Sequence, residues 1–215
     1  AVAAPGWPGR PSPERLGLPG PPTVAIGAAA RPSVWKKTRL VRAASSSARL
    51  RCSTLGLLPG AGGVTKLTLN RGGKFNPLSE EMLAALQAEV DAIAKDDKVR
   101  VVVLAAQGKA FCAGHDLKQM RASPSAAYYK KLFEQCSKLM LAIQQMPQPV
   151  IARVQGIATA AGCQLVAQCD LAVSASNAKF AVSGINLGLF CSTPSVALSR
   201  NMGRKQAFEM LVTGE

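Results

Sequence analysis

The stretch VRVVVLAA, residues 99 to 106, limits what this chain can fold into more than any other. After Arg100 it holds no polar residue, its three consecutive valines favour extended backbone, and it is too short for a core helix. A strand that alternates apolar with polar residues can leave one face in water, whereas one that does not alternate has to be covered on both. The rest of the chain must therefore supply helices for two faces of a sheet. VTKLTLN after Gly63, PVIARV at 149 to 154, LAVSAS and KFAVS read as further strands.

The helices follow from spacing. Ser79 can cap a helix with Glu80 and Glu81 in its first turn, and Leu83, Leu86, Val90 and Ile93 recur at helical intervals until KDDK ends it. After the QGKAFCAGHD loop a second long helix carries Tyr129, Leu132, Phe133, Cys136, Leu139, Met140 and Ile143 on one apolar face, and Pro147 and Pro149 stop it. GIATAAGCQLVAQCD reads as a turn entering a short helix. Ser192 or Thr193 can cap a last helix with Pro194 at its first position, running through VALSRNMGRKQAFEML. The order is β/α with repeated ββα-like units, and neither the GxGxxG nor the Walker-type phosphate fingerprint occurs in it.

Composition sets a leader apart from this pattern. Residues 1 to 60 hold nine of the fourteen prolines and nine Lys or Arg against one acidic residue, Glu14, which accounts for +8 of the formal net charge of +14. The expected division is a basic Pro/Gly/Arg-rich leader over 1–60, a transit peptide or a disordered segment, and one folded domain over 61–215. RPSVWKKTRLVRAASSSARLRCS, Arg-rich, Ser-containing and free of acid, resembles a mitochondrial transit peptide. The location expected is mitochondrial, with the cytoplasm as the alternative if the chain is bacterial or the leader is not natural. The folded part has no dense basic stripe with interleaved aromatics, which argues against a nucleic-acid partner. No apolar run approaches the ~20 residues of a membrane span. The six cysteines show no CxxC or Cys/His metal spacing, so buried reduced thiols and no metal are expected.

Two segments share a design: VVVLAAQGKAFCAGHDL and PVIARVQGIATAAGCQL each deliver a buried strand to a turn of small residues that opens a helix. In the second, Ala160, Ala161 and Gly162 carry almost no side chain, so a ligand can approach the helix N-terminus, where unpaired N–H groups favour negative charge. In the first, Gly114 permits an unusual backbone angle and Asp116 can cap the helix beginning at Leu117. Two N–H groups aimed at one point would form an oxyanion hole, while close packing and a structural cap would explain the same residues without chemistry.

AFCAGHDLKQM, then PQPVIARVQGIATAAGCQLVAQCDLAVSASNAKFAVSGINLGLF and VALSRNMGRKQAFEMLVTGE, resemble the crotonase (enoyl-CoA hydratase/isomerase) superfamily over about residues 63 to 215. The resemblance implies an α/β fold, a spiral of repeated ββα units, here without the family's C-terminal helical segment. It implies an acyl-CoA thioester as substrate, with coenzyme A entering as part of that substrate and no separate cofactor, and a homotrimer or hexamer when the chain is full length. The oxyanion N–H groups would come from the backbone of His115, the only histidine in the chain, and of Ala161. Lys74, Phe75, Ala113, His115 and Asp116 match the positions along which coenzyme A lies.

The same alignment exposes a departure. A hydratase of this family uses two glutamates, and Gln164 and Gly184 stand at their positions. Neither an amide nor a glycine exchanges protons near neutral pH, and acid–base help is worth ~10²–10⁴-fold. Efficient hydration is therefore not expected, whereas stabilisation of a thioester enolate or oxyanion remains open. The alternative is a catalytically silent acyl-CoA-binding relative. Cys191, Ser192 and Ser183 lie where the chain approaches the pocket, with no second histidine to activate them.

Overall fold

The computed structural model describes residues 55–122 and 124–214. In chain order the elements are β1 (Leu55–Pro59), β2 (Val64–Leu69), α1 (Glu80–Ile93), β3 (Val101–Ala106), β4 (Ala110–Cys112), α2 (Leu117–Ala122), α3 (Ala126–Gln144), β5 (Val150–Val154), β6 (Ile157–Thr159), α4 (Ala161–Gln168), β7 (Leu171–Ser174), β8 (Phe180–Ala181), α5 (Ser192–Asn201) and α6 (Arg204–Thr213). A five-stranded sheet has the order β1-β2-β3-β5-β7, and a smaller one the order β4-β6-β8. Among the described residues only the β1–β2 pair is antiparallel. Each turn of the spiral places one strand in the large sheet and the next in the small one. The units β3-β4, β5-β6 and β7-β8 are these turns, which is the ββα repeat of the expected α/β fold.

The central position of β3 follows from its composition. Leu67, Leu104 and Ala152 stand in one row across β2, β3 and β5 and are at most 2% exposed. Val102 and Leu104 are fully covered, and Val101 and Val103 on the alternate positions are half-buried. Helix α1 seals its face with Met82, Leu83, Leu86, Val90 and Ile93. At ~1.5–3 kcal/mol for each fully buried side chain of this size, packing outweighs any propensity term in fixing it there. The Ser79 hydroxyl accepts from the Met82 N–H at 3.2 Å, the cap its position predicts.

Four boundaries differ from the reading of the sequence. Leu55–Pro59, assigned to the leader, is an edge strand whose apolar LGLL pairs with β2, and its proline falls at the strand's end; residues 1–54 lie outside the described residues. The expected single helix after the FCAG loop is two. Helix α2 ends before Pro124, and α3 starts anew with Ser125 accepting from the Tyr128 N–H. On α3 Leu132, Cys136, Leu139, Met140 and Ile143 are buried. Tyr129 and Phe133 are only half-buried, and Tyr129 donates its hydroxyl to the Met120 carbonyl, tying α3 to α2. Strands β4 and β6 were hidden in what reads as loop and turn, because three residues give no period.

The last helix also divides. Gly203 interrupts it between α5 and α6. Its start lies at Ser192, with Cys191 at the cap position and no side-chain cap, so Pro194 is the third residue and still within the turn whose N–H groups have no helical partner.

Candidate active site

Parallel pairing of β4 with β6 decides the geometry of the site. Ala110 faces Ile157 and Cys112 faces Ala158, so both strands release the chain at the same edge of the small sheet. The two glycine turns therefore emerge side by side. Gly114 has φ +85°, and a Cβ on it would lie 3.1 Å from Ala160 Cβ and 3.2 Å from the Ala161 nitrogen. Helix α4 starts at once beyond Ala160, whose φ of 51° and ψ of −122° belong to a region that costs a non-glycine residue ~1–3 kcal/mol. Its N–H, donated to the Ala181 carbonyl at 2.9 Å, holds the strained turn against the end of β8.

Among the described residues, neither the His115 nor the Ala161 N–H donates to another backbone group. For Ala161 this follows from its place as first residue of α4, where no carbonyl lies a turn earlier. For His115 it follows from register. The residue bridges Leu78 in parallel sense, but the Leu78 N–H donates to the Gly114 carbonyl at 2.8 Å and leaves the His115 amide uninvolved.

The positions implied for coenzyme A come together along one edge. The Ala113 N–H donates to the Phe75 carbonyl at 3.0 Å, which lays the Lys74–Leu78 turn against the FCAG loop. Lys74 is exposed at the end of a short 3-10 turn, and Phe75 is 53% exposed with φ 62°. Asp116 does what a cap does: its carboxylate accepts from the N–H groups of Lys118 at 3.0 Å and Gln119 at 3.2 Å.

Sequence reasoning passed over the residue that holds this edge in place. Asn76 is fully buried with φ 50°. It donates to the carbonyls of Gln107 and Ala110 at 2.8 and 3.0 Å and accepts from the Arg71 N–H at 2.8 Å. An asparagine directly before a proline, after two glycines, was the available signal, since asparagine tolerates the left-handed region better than most residues. A second unread feature is the hydroxyl pair of Thr159 and Ser183, 2.9 Å apart, which joins β6 to the turn after β8 just before Ala160 and Gly184.

The His115 ring lies edge-on to Phe133, centroids 5.3 Å apart and planes at 86°. The residue as a whole is half-buried, both ring nitrogens are out of solvent, and neither meets a partner at full hydrogen-bond geometry, the Leu78 backbone being the polar group that acts on the ring. Burial lowers its pKa below 6.5, more than the neighbouring Leu78 backbone raises it, so the ring is neutral at pH 7. Among the described residues the ring's aromatic contact is with Phe133, as in ordinary side-chain packing.

Gln164 and Gly184 are both buried. Gln164 follows Ala161 by three residues on one face of α4 and is 5% exposed; its Oε1 has no hydrogen-bond partner. It lines a cavity of about 400 Å³ between α3, α4 and α5, to which Met140 and Thr193 also contribute. Gly184 sits in a 3-10 turn where a Cβ would lie 2.5 Å from Cys191 Sγ and 2.7 Å from the Leu189 carbonyl oxygen. The described cysteines are packed thiols. All five described are unpaired and buried, and burial pushes the thiols of Cys112, Cys136 and Cys169 up to about 12 and that of Cys163 to about 11. Cys191 Sγ points to the Val182 carbonyl at 3.6 Å. Among the described residues no helix is long and apolar enough to cross a membrane.

Comparison with known proteins agrees with this architecture. The sequence profile of the Enoyl-CoA hydratase/isomerase family matches residues 60–215. Enoyl-CoA hydratase domain-containing protein 3, mitochondrial, is 45% identical in Xenopus laevis, over 81% of this chain and 59% of that protein. The human protein of the same name is 46% identical over 71% of this chain and 50% of its own length. The chain thus spans about half to six tenths of the length of these relatives. Among solved structures, an enoyl-CoA hydratase from Mycobacterium smegmatis superposes with a TM-score of 0.74 at 68% identity, covering 75% of this chain and 63% of the other. Human enoyl-CoA hydratase domain-containing protein 3 does so with 0.72 at 44%, covering 75% and 64%. With the ββα spiral, the paired glycine turns and a matching profile over most of its length, the chain belongs to the enoyl-CoA hydratase/isomerase family.

Proposed function

We propose that this protein binds an acyl-CoA thioester and holds its carbonyl oxygen between the backbone N–H groups of His115 and Ala161, without being an efficient hydratase. The observation that carries the reading is the close approach of the two turns, with a Cβ on Gly114 falling 3.1 Å from Ala160 Cβ and 3.2 Å from the Ala161 nitrogen, while among the described residues neither amide donates to a backbone carbonyl. Two fixed donors at a site of developing negative charge are worth ~10²–10³-fold each, because they need no reorganisation as charge appears. Lys74, Phe75, Ala113, His115 and Asp116 form the edge along which coenzyme A lies, and no resident cofactor is required.

The chemistry is limited by what faces the acyl group. Hydration needs one group to take a proton from water and another to deliver one to the α-carbon. Gln164 orients a water or an acyl oxygen but transfers no proton, and Gly184 has no side chain. Reactions that reach an enolate without proton abstraction, such as decarboxylation, stay within reach of the two amides alone. These two residues also favour the second reading, a catalytically silent acyl-CoA-binding relative acting in lipid metabolism. The location proposed is mitochondrial, from the Arg-rich leader and the mitochondrial naming of the relatives; the assembly proposed is a homotrimer or hexamer.

Calorimetric titration with acyl-CoAs, beside turnover assays on crotonyl-CoA and malonyl-type CoAs, tests this. Acyl-CoA binding with slow or no hydration is expected. Hydration of crotonyl-CoA at the rate of two-glutamate enzymes would overturn the account of Gln164 and Gly184, and binding without any turnover selects the silent form. A reporter fused to residues 1–60 that stays in the cytosol would remove the mitochondrial assignment.

A further inference from the structure

The direction of the Ala161 amide is set by the residue before it. The Ala160–Ala161 peptide is planar and trans, so its carbonyl and its N–H point opposite ways. The Ala160 carbonyl accepts from the Gln164 N–H at 3.1 Å, along α4, which turns the Ala161 N–H outward from the helix end. Holding that plane requires Ala160 at φ 51° and ψ −122°, a conformation that a residue with a Cβ keeps only where its surroundings fix it from more than one side.

Two bonds from consecutive residues fix this junction. The Ala160 N–H donates to the Ala181 carbonyl at 2.9 Å, and the hydroxyls of Thr159 and Ser183 stand 2.9 Å apart, one donating to the other. Strand β8 is two residues long and ends at Ala181, so the ladder goes no further. Thr159 faces Ala181 across the parallel β6–β8 pair, and its side chain reaches past the end of β8 to the first residue of the 3-10 turn Ser183–Leu187. The hydroxyl pair is therefore the contact that carries the junction beyond the strand. The Thr159 carbonyl oxygen also lies 3.2 Å from the place a Cβ on Gly114 would take, so a shift of Thr159 is felt in both turns.

We infer that Thr159 and Ser183 are positioning residues of the thioester site, their hydroxyl pair holding the strained Ala160 junction so that the Ala161 N–H stays on the carbonyl oxygen. The inference rests on the acyl-CoA reading above and adds the two side chains on which its second amide depends. The role asks for no contact between either hydroxyl and the ligand.

The test compares hexanoyl-CoA with S-hexyl-CoA, its thioether counterpart without a carbonyl, by calorimetric titration of the whole chain. The unmodified chain should prefer the thioester by about tenfold, since only the thioester gives the two amides an acceptor. Thr159→Val and Ser183→Ala should each cut that preference by about three- to tenfold with thioether affinity unchanged. The double variant should be no worse than either single one, because all three lose the same bond. Thr159→Ser keeps a hydroxyl at 159 and should keep the preference. Loss of affinity for both ligands alike, as a merely structural role would give, or a preference that survives Thr159→Val and Ser183→Ala, overturns the inference and leaves the acyl-CoA reading standing. Should Thr159→Val fail to fold, Ser183→Ala decides alone, since Ser183 lies outside the paired strands. Equal affinity of the unmodified chain for the two ligands, or no binding of either, overturns the acyl-CoA reading and the inference with it.

Discussion

Gly162 stands so close to Cys112 that a Cβ at position 162 would lie 2.2 Å from the Cys112 carbonyl oxygen. This approach lets the first turn of α4 sit on β4, which brings the Ala161 amide beside the FCAG loop. Helix propensity alone would favour alanine at 162 by ~1 kcal/mol. The clash decides the sign, since a backbone carbonyl in a paired strand cannot retreat and overpacking costs ~1–3 kcal/mol or more. Gly162→Ala is therefore expected to lower stability in urea and to weaken acyl-CoA binding at least tenfold. Equal stability and affinity would mean that α4 shifts without moving the amide.

Restoring the second glutamate is expected to fail for a similar reason. A side chain at Gly184 meets Cys191 Sγ at 2.5 Å and the Leu189 carbonyl at 2.7 Å, and the carbonyl belongs to the backbone of a tight turn. Gly184→Ala should already cost ~1–3 kcal/mol. The double variant Gln164→Glu, Gly184→Glu should lose stability without gaining the hydration that two carboxylates supply elsewhere. Thermal melting and a crotonyl-CoA assay check both halves, and a stable, hydrating double variant would show that the turn yields.

These two glycines also mark how far the sequence could be read. The valine run of β3, the capped helix from Ser79 and the α3 face announced themselves, because long periodic segments average over local detail. The small sheet did not. Its strands have three, three and two residues, and what holds them is parallel pairing between segments nearly fifty and about twenty residues apart, a relation no local window contains. For the site, the turn residues His115, Ala161, Gln164 and Gly184 were reached through resemblance. Asn76 and the Thr159–Ser183 pair take their roles from contacts that exist only once the chain is folded.

Asn76 should be worth more than its single amide suggests. Replacing it with alanine removes two donated bonds and one accepted bond in a fully buried place and forces alanine to keep φ near 50°. Unmet buried carbonyls and the left-handed backbone together point to a loss of ~2–4 kcal/mol for Asn76→Ala. Asn76→Gly loses the same bonds without the backbone strain and should be ~1 kcal/mol milder. Denaturant titration of the pair separates the two effects, and a glycine variant worse than the alanine one would contradict the strain argument. Both should weaken coenzyme A binding, since the Phe75–Ala113 edge depends on this anchor.

His115, the chain's only histidine, offers a test that no other side chain confounds. Its folded pKa lies below the unfolded value of 6.5 because its ring nitrogens are out of water. Above pH 6.5 the ring is neutral folded and unfolded, so it has no linkage effect. As pH falls from 6.5 toward the folded value, the unfolded chain takes up a proton that the native chain refuses, and native stability drops. The slope for one proton cannot exceed ~1.4 kcal/mol per pH unit. Urea midpoints should therefore fall between pH 6.5 and 5.5 in the unmodified chain and stay level in His115→Phe over that window, above the range where carboxylates titrate. Acyl-CoA affinity at pH 7.5 should survive the same substitution, because the backbone N–H at 115 remains. A variant that keeps the pH dependence would place its origin elsewhere, and one that abolishes binding would give the imidazole itself a role at the thioester.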